Sequence, residues 1–160
     1  MSKAPVKKKD AVDLLDADHV AVKKLFTEFK ALCEADAPGE DKKAVADKIC
    51  MELTVHAELE EQIFYPATRE AIDDDMLLNE AEVEHASAKD LIAQISAMGP
   101  EEEMFDAKVI VLGEYIDHHV EEERNEMFPK ARNSSMDLKA MAEELKTLKE
   151  ELIANYEVSA

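Results

Sequence analysis

Apolar residues recur along nearly the whole chain at alternating steps of three and four, which is the spacing of one face of an α-helix. One such stripe consists of Val12, Leu15, His19, Val22, Phe26 and Phe29. No segment shows the period of two that a half-buried strand requires. The 160 residues include only three glycines and five prolines, too few for the many turns of an all-β fold. The sequence therefore predicts an all-α protein.

Clusters of glycine, proline and short polar residues divide this pattern into five predicted helices. We place them at residues 11–35, 41–72, 73–98, 101–132 and 133–156, the third and fifth opening with short polar caps. Pro66 lies late in the second helix and is expected to kink it. Because the connections are short, the first four helices should form an antiparallel up-down-up-down four-helix bundle. The fifth helix is amphipathic and is expected to pack on the outside or end of the bundle.

The same boundaries predict one domain with an appendage at each end. Residues 1–9 form a flexible basic tail, residues 10–132 the bundle, and residues 133–160 the C-terminal helix packed on it. The tail has no apolar stretch behind its lysines, so it is not a signal peptide. The sequence contains no run of about 18 apolar residues, so no membrane span is predicted. Cys33 and Cys50 lack metal or redox spacing and indicate a reducing, cytoplasmic environment.

Each of the first four predicted helices carries one histidine on its apolar stripe. These residues are His19, His56, His85 and His119. Two of the stripes also carry a glutamate four residues after the histidine, Glu60 and Glu123. That spacing places both side chains on one face, one turn apart. Leucine would pack better at each of these positions, so the polar residues require another explanation.

An internal repeat relates these stripes to one another. An offset of 66 residues maps the His19 stripe onto that of His85, and an offset of 63 maps His56 onto His119. The second offset also maps Glu60 onto Glu123 and Pro66 onto Pro129. The chain therefore resembles two copies of a helical hairpin. Packed face to face, they would bring four histidines and two glutamates around a pseudo-twofold axis.

These donor types predict a metal centre. Two ionised carboxylates in a bundle core are prohibitive unless a cation compensates them. Imidazole nitrogens with carboxylate oxygens suit iron, manganese or zinc, whereas a calcium or magnesium site would not use four histidines. Two carboxylates can bridge two metal ions while histidines bind each ion from the side. We therefore expect two ions, most simply iron, with zinc or manganese as alternatives.

The helical phase separates these residues from their polar neighbours. Glu61 and Glu121 are turned about 100° or more from the stripes and are not expected to bind metal. His118 is turned similarly from His119 and is expected to be exposed or to lie just outside the site. Counting residues from the turns places the donors at similar heights in the bundle, except across the third connection. The heights of the donors on either side of that connection agree only if the irregular segment after Gly99 is longer and looser than the predicted helix boundary allows.

The segments His56–Pro66 and His118–Pro129, with the lone His19 and the Glu84-His85 pair, resemble the hemerythrin-like HHE cation-binding proteins. The resemblance covers residues 10–132. It implies a four-helix bundle around an oxo- or hydroxo-bridged di-iron site. It also implies that the four histidines are terminal ligands and that Glu60 and Glu123 are bridging carboxylates. Members of the family carry or sense dioxygen, or handle iron, peroxide or nitric oxide.

One position departs from the pattern of the oxygen-carrying hemerythrins. Those proteins have a second histidine one turn after the first in the third helix, where this chain has Ala88 and Lys89. Water, His118, or Glu82 three residues before His85 are the candidates for the missing ligand. A centre with fewer histidines has more open positions. We therefore expect peroxide turnover or rapid autoxidation in place of stable oxygen carriage.

Three functions remain open at this point. The first is a di-iron protein that binds or reacts with dioxygen, peroxide or nitric oxide, as a scavenger, sensor or peroxidase- or catalase-like enzyme supplied by an electron-donor protein. The second is an iron-binding or storage module without turnover. The third, an interaction module without metal, is disfavoured because all six inner polar residues are present. A formal charge of −19 argues against nucleic acid or an anionic membrane as partner. The oligomeric state is left open.

Overall fold

Helices make up nearly all of the chain in this computed structural model, which describes residues 8–159. The elements are α1 (Ala11–Glu34), α2 (Gly39–Leu59), π1 (Glu60–Phe64), α3 (Tyr65–Ala71), α4 (Asp75–Ala97), α5 (Phe105–Glu122), π2 (Glu123–Met127), α6 (Phe128–Arg132) and α7 (Leu138–Ser159). Within these residues the helical segments form four long rods and one outer helix. The rods are α1, then α2 with π1 and α3, then α4, then α5 with π2 and α6, and the outer helix is α7. No strand occurs among these described residues, and the predicted all-α class is confirmed.

Short polar side chains fix where the rods begin. The Asp10 carboxylate accepts from the Asp13 backbone N–H, and the Asp13 carboxylate accepts from the Asp10 N–H, which forms a capping box on α1. Asp74 caps α4 by accepting from the Leu77 N–H. The turn after α1 contains Asp36 at φ 52°, a left-handed conformation that aspartate tolerates. The predicted breaks near residues 38 and 74 therefore have local causes.

The four rods form a closed ring. α1 packs against α2 and α5, and α4 packs against the same two helices from the opposite side. α7 lies outside this ring and contacts α1, α2 and π1. This arrangement confirms the predicted up-down-up-down bundle with an additional C-terminal helix.

Two apolar clusters fill the bundle, one on each side of the inner polar residues. The first includes Leu15, Leu59, Phe64 and Phe128, and α7 adds Leu138, Met141 and Leu145 to it. The second includes Val22, Phe29, Ile49, Leu53, Ile95, Phe105 and Leu112. His19 lies between Leu15 of one cluster and Val22 of the other. The polar centre is therefore held between two hydrophobic layers, whose burial stabilises the bundle.

Three boundaries differ from the predicted ones. The fourth rod begins at Phe105, because residues 100–104 form a run of turns and bends. This longer connection accounts for the mismatch in height that the predicted boundary at residue 101 produced. The second rod begins at Gly39, two residues early, and the last helix begins only at Leu138. The predicted tail lies mostly outside the described residues, which start at Lys8.

Pro66 and Pro129 do not break their rods but widen them. A proline has no N–H to donate and its ring clashes with the carbonyl four residues earlier. The preceding turns accordingly become π-helical. The Tyr65 N–H donates to the Glu60 carbonyl, and the Phe128 N–H donates to the Glu123 carbonyl, each five residues back. Both π turns start at a predicted ligand, and such turns are frequent at functional sites.

Candidate metal centre

The Nε2 atoms of the four stripe histidines converge in the middle of the bundle. His19 Nε2 lies 3.2 Å from His56 Nε2, which pairs α1 with α2. His85 Nε2 lies 3.3 Å from His119 Nε2, which pairs α4 with α5. The chain therefore presents two imidazole pairs, one from each repeated hairpin.

Each glutamate contacts one histidine of each pair. Glu60 Oε1 lies 3.1 Å from His56 Nε2 and 3.2 Å from His85 Nε2. Glu123 Oε1 lies 3.3 Å from His19 Nε2 and 3.0 Å from His119 Nε2. Two donors bound at about 2.1 Å and at right angles around one ion would be about 3.0 Å apart. The observed spacings are therefore those of donors that can bind a common cation.

The burial of these carboxylates supports the same interpretation. Glu60 is 0% and Glu123 is 1% exposed. Within residues 8–159, both oxygens of Glu60 and Oε1 of Glu123 have no hydrogen-bond partner, although the imidazole nitrogens are close. Burying a carboxylate without a compensating charge lowers the stability of the fold by roughly several kcal/mol. A cation among these oxygens and nitrogens would supply the missing interaction.

In the absence of a cation, protons on the histidines balance the glutamates. Burial works to lower the pKa of His56, but Glu60 and Asp18 outweigh it and raise this pKa to about 10. Burial also works to lower the pKa of His119, but the Glu123 carboxylate outweighs it and raises this pKa. Burial works to raise the pKa of Glu60, yet His56 and its neighbours hold it well below the ordinary value. Cation binding must therefore displace protons from this cluster.

A carboxylate lies against the outer nitrogen of every one of these histidines. His19 Nδ1 is 3.2 Å from Asp16, and His56 Nδ1 is 2.9 Å from Asp18. His85 Nδ1 and His119 Nδ1 are each 3.1 Å from a glutamate, Glu61 and Glu84 respectively. Such partners keep the proton on Nδ1, orient the ring and leave Nε2 free to bind a metal.

Each of these carboxylates is in turn paired with a cation nearer the surface. Arg124 Nε lies 2.6 Å from Asp16, and Lys149 Nζ of α7 lies 2.6 Å from Asp18. Lys89 pairs with Glu61. The fourth partner is weaker, because His118 Nε2 lies 3.9 Å from Glu84 and carries charge only when protonated. Four imidazole–carboxylate–base chains thus run from the centre to the surface.

Sequence reasoning missed these outer carboxylates, although a signal was present. Asp18, Glu61 and Glu84 each stand next to an inward-facing residue in sequence. Each bonds a histidine of a different helix from its own. Glu61 is turned away from the stripe as predicted, but it is half-buried against His85. Glu121 is exposed.

Tyr65 is the other residue that the sequence did not reveal. Its hydroxyl lies 3.0 Å from His85 Nε2 and 3.1 Å from His119 Nε2, and it donates to Glu123 Oε2 at 3.4 Å. Burial and the charges of Glu123 and Glu60 raise the pKa of this hydroxyl well above its usual value. In an α-helix a residue five positions after Glu60 would face about 140° away. The wider π turn brings Tyr65 onto the same face.

Two of the three candidates for the missing ligand, His118 and Glu82, lie away from the histidine cluster. The His118 side chain is 68% exposed, as its helical phase predicts, and pairs with Glu122 at 3.1 Å. The Glu82 carboxylate is exposed and accepts from Arg69 at 3.2 Å. Tyr65 lies nearer to the His85–His119 pair than either.

The fold and this donor set define a metal-binding four-helix bundle. The sequence profile of the hemerythrin HHE cation binding domain matches residues 10–131. The chain therefore belongs to the hemerythrin HHE family. None of the described helices is long and apolar enough to cross a membrane.

Two known proteins show how far the likeness extends. A crystal structure of an HHE cation-binding-domain protein from Mycobacterium kansasii aligns with a TM-score of 0.76 and 22% identity, covering 92% of this chain and 89% of that one. This similarity concerns the fold. A protein of Nostoc sp. named DNA nickase is 30% identical over 142 residues, 88% of this chain. The match spans only 39% of that relative's length.

Proposed function

We propose that this protein is a non-haem di-iron protein that binds or reacts with dioxygen, peroxide or nitric oxide. The observation that carries the proposal is the placement of two buried glutamates, each in contact with one histidine of each pair and each with an unpartnered oxygen. Two carboxylates placed between two imidazole pairs suit two cations better than one. Zinc and manganese accept the same donors, but iron also supplies one-electron redox chemistry.

The proposed ligands divide into two sets that share the glutamates. His19 and His56 would hold one ion, and His85 and His119 the other. Glu60 and Glu123 would bind both ions. The four Nδ1 carboxylates would orient the rings, as described above. Three of the four rings are thereby held by a carboxylate of a neighbouring helix, and His19 by Asp16 of its own helix.

Tyr65 is proposed to take the place of the absent histidine of α4. Its hydroxyl oxygen is within 3.1 Å of both Nε2 atoms of the His85–His119 pair. Phe64 packs beside it and Phe128 packs on Phe64, so that aromatic rings cover this side of the centre. The phenol therefore adds one oxygen donor, or one hydrogen-bond donor, to the His85–His119 half of the centre.

DNA cleavage is not part of the proposal. The name of the Nostoc relative describes a protein more than twice as long as the matched region. The formal charge of −19 on this chain would repel a phosphate backbone.

Metal analysis of protein reconstituted anaerobically with ferrous iron tests the proposal. We expect close to two irons per chain, together with consumption of hydrogen peroxide. One zinc per chain that iron cannot replace would contradict the di-iron assignment. Two irons without reaction towards peroxide, dioxygen or nitric oxide would support the alternative of an iron-binding or storage module.

A further inference from the structure

A cavity of about 300 Å³ opens on the donor cluster from one side. All four rods of the bundle contribute to its wall, and the inner end is formed by the four histidines and Glu60. Away from these donors the wall is mostly hydrocarbon. The apolar part of the wall includes Val22, Leu53, Ala88, Ile92, Ile116 and Val120.

The position of this cavity follows from the helical register. Val22 and Ala88 lie three residues after His19 and His85, whereas Leu53 and Ile116 lie three residues before His56 and His119. These four residues therefore form the next layer of the bundle beside the histidine layer. Tyr65 and Phe128 lie on the opposite side of the histidines and are not part of the cavity wall.

Ala88 explains why there is space in this layer. The other three residues at equivalent positions are valine, leucine and isoleucine, whereas Ala88 has a single methyl group. It is 8% exposed and belongs to the second apolar cluster. A large side chain at this position would extend into the cavity next to His85.

The cavity is larger than dioxygen or hydrogen peroxide requires, and its wall is less polar than hydrogen peroxide. Dioxygen and hydrogen peroxide contain two heavy atoms each. An apolar cavity of about 150 Å³ in another protein stays dry and binds benzene. A space of about 300 Å³ with walls of this kind can hold a hydrocarbon group of a benzene derivative's size. Hydrogen peroxide gains nothing from such walls.

We infer that this cavity binds the hydrocarbon part of an uncharged organic hydroperoxide and directs its O–O group to the donor cluster. The inference rests on the proposed function and specifies its substrate class. Reduction of such a molecule breaks the O–O bond and gives an alcohol and water. It consumes two protons, taken from solvent, and two electrons, which two ferrous ions held by the donor cluster would supply, one electron each.

The rim of the cavity favours an uncharged molecule. Glu58 and Glu84 line its polar part, and Lys89 at the rim is already paired with Glu61. A carboxylate-bearing molecule would meet these acids and a cation that is already neutralised. Cumene hydroperoxide and tert-butyl hydroperoxide are therefore suitable probes, because both are neutral and they differ in hydrocarbon size.

The first test measures binding without chemistry. Protein loaded with redox-inert zinc is titrated calorimetrically with cumyl alcohol and with a series of straight-chain alcohols. We expect each added methylene to tighten binding about fourfold until the cavity is full. Equal affinity for short and long alcohols, with no binding of cumyl alcohol, would overturn the inference without requiring any variant.

The second test fills the cavity. Ala88→Leu should weaken cumyl alcohol binding at least tenfold. In single-turnover oxidation of the diferrous protein, it should also lower the ratio of the rate constant for cumene hydroperoxide to that for tert-butyl hydroperoxide. Ala86→Leu, an exposed position on the same helix, is the matched control and should leave both quantities unchanged. Unaltered binding in a folded Ala88→Leu protein would place the ligand elsewhere and refute the inference.

These measurements separate the inference from the function beneath it. If the zinc form binds cumyl alcohol but the iron form reacts with none of peroxide, dioxygen and nitric oxide, the proposed function fails and the binding site stands. If hydrogen peroxide is consumed while cumyl alcohol does not bind and the two organic hydroperoxides react equally, the function stands and this inference fails.

Discussion

Tyr65 and Phe128 occupy equivalent places in the two halves of the chain, each five residues after a buried glutamate and each at the end of a π turn. The Tyr65 hydroxyl contacts the Nε2 atoms of His85 and His119. The Phe128 ring stacks on His19 with centroids 5.8 Å apart. The pseudo-twofold repeat therefore yields a chemically asymmetric centre, with a phenol beside one histidine pair and a hydrocarbon ring beside the other.

This asymmetry predicts different effects of substituting Tyr65 and Phe128. Tyr65→Phe should weaken binding of one of the two ions about tenfold, by loss of one oxygen ligand. It should also abolish any visible phenolate-to-ferric absorption. Iron titration and the optical spectrum check this. Phe128→Tyr is the control, which adds a hydroxyl at the other pair, and it should not restore the spectrum to Tyr65→Phe. An unchanged spectrum in Tyr65→Phe would show that the phenol does not bind iron.

Replacing a buried glutamate should weaken metal binding and also destabilise the metal-free protein. Glu60→Gln removes a shared carboxylate, so metal affinity should fall at least tenfold. The same change removes the carboxylate that balances protonated His56, so the metal-free form should melt at a lower temperature. Glu121→Gln, on the exposed face of α5, should alter neither quantity. Metal titration and calorimetric melts of the metal-free protein measure the two effects, and a metal-free Glu60→Gln protein that melts higher than the parent would show that the histidines do not compensate Glu60.

Stability of the metal-free protein should depend on pH in a defined direction. The pKa of His56 is raised to about 10, so its stabilising contribution is complete below about pH 6.5 and is lost as the pH rises to about 10. The pKa of Glu60 is depressed, so its contribution is present above about pH 4.5 and is lost in acid.

The metal-free melting temperature should therefore be highest between roughly pH 5 and 6.5. Metal competes with protons for the histidines, so its affinity should rise with pH over the same alkaline range. The difference in melting temperature between the metal-bound and chelator-treated forms should widen from pH 6.5 to pH 9. A difference that is constant or narrows with pH would show that proton release is not coupled to metal binding.

Lys149 should connect the outer helix α7 to the centre. Its ammonium lies 2.6 Å from the Asp18 carboxylate, whose other oxygen contacts His56 Nδ1 at 2.9 Å. Burial would raise the pKa of Asp18, but His56 and Lys149 together lower it. Lys149→Met should therefore weaken metal binding severalfold.

The control for this prediction is Lys146→Met on the same helix. Lys146 is exposed and pairs with Glu143 at 3.6 Å, away from the histidines. Competition titration with a chromophoric chelator would measure both variants. Equal affinities for Lys149→Met and Lys146→Met would mean that α7 only covers the bundle.

The sequence by itself determined the bundle and the six inner donors. Helical periodicity assigns residues spaced by three and four to one face, so His56 and Glu60, or His119 and Glu123, could be placed together without any tertiary information. The repeat offsets then placed the two hairpins face to face. These are local consequences of a fixed helical angle.

Only the tertiary structure decided what surrounds the donors. Asp18 and Glu84 bond histidines of neighbouring helices, so their role depends on how the helices are rotated and aligned, which no single stripe specifies. Tyr65 faces the centre because the π turn before Pro66 rotates the chain by less than the 100° per residue of an α-helix. The phase predicted from the sequence uses the α-helical rotation throughout. The cavity beside Ala88 exists because four helices place their side chains in one layer. Local angles are encoded residue by residue, whereas contacts between helices arise only when all four pack.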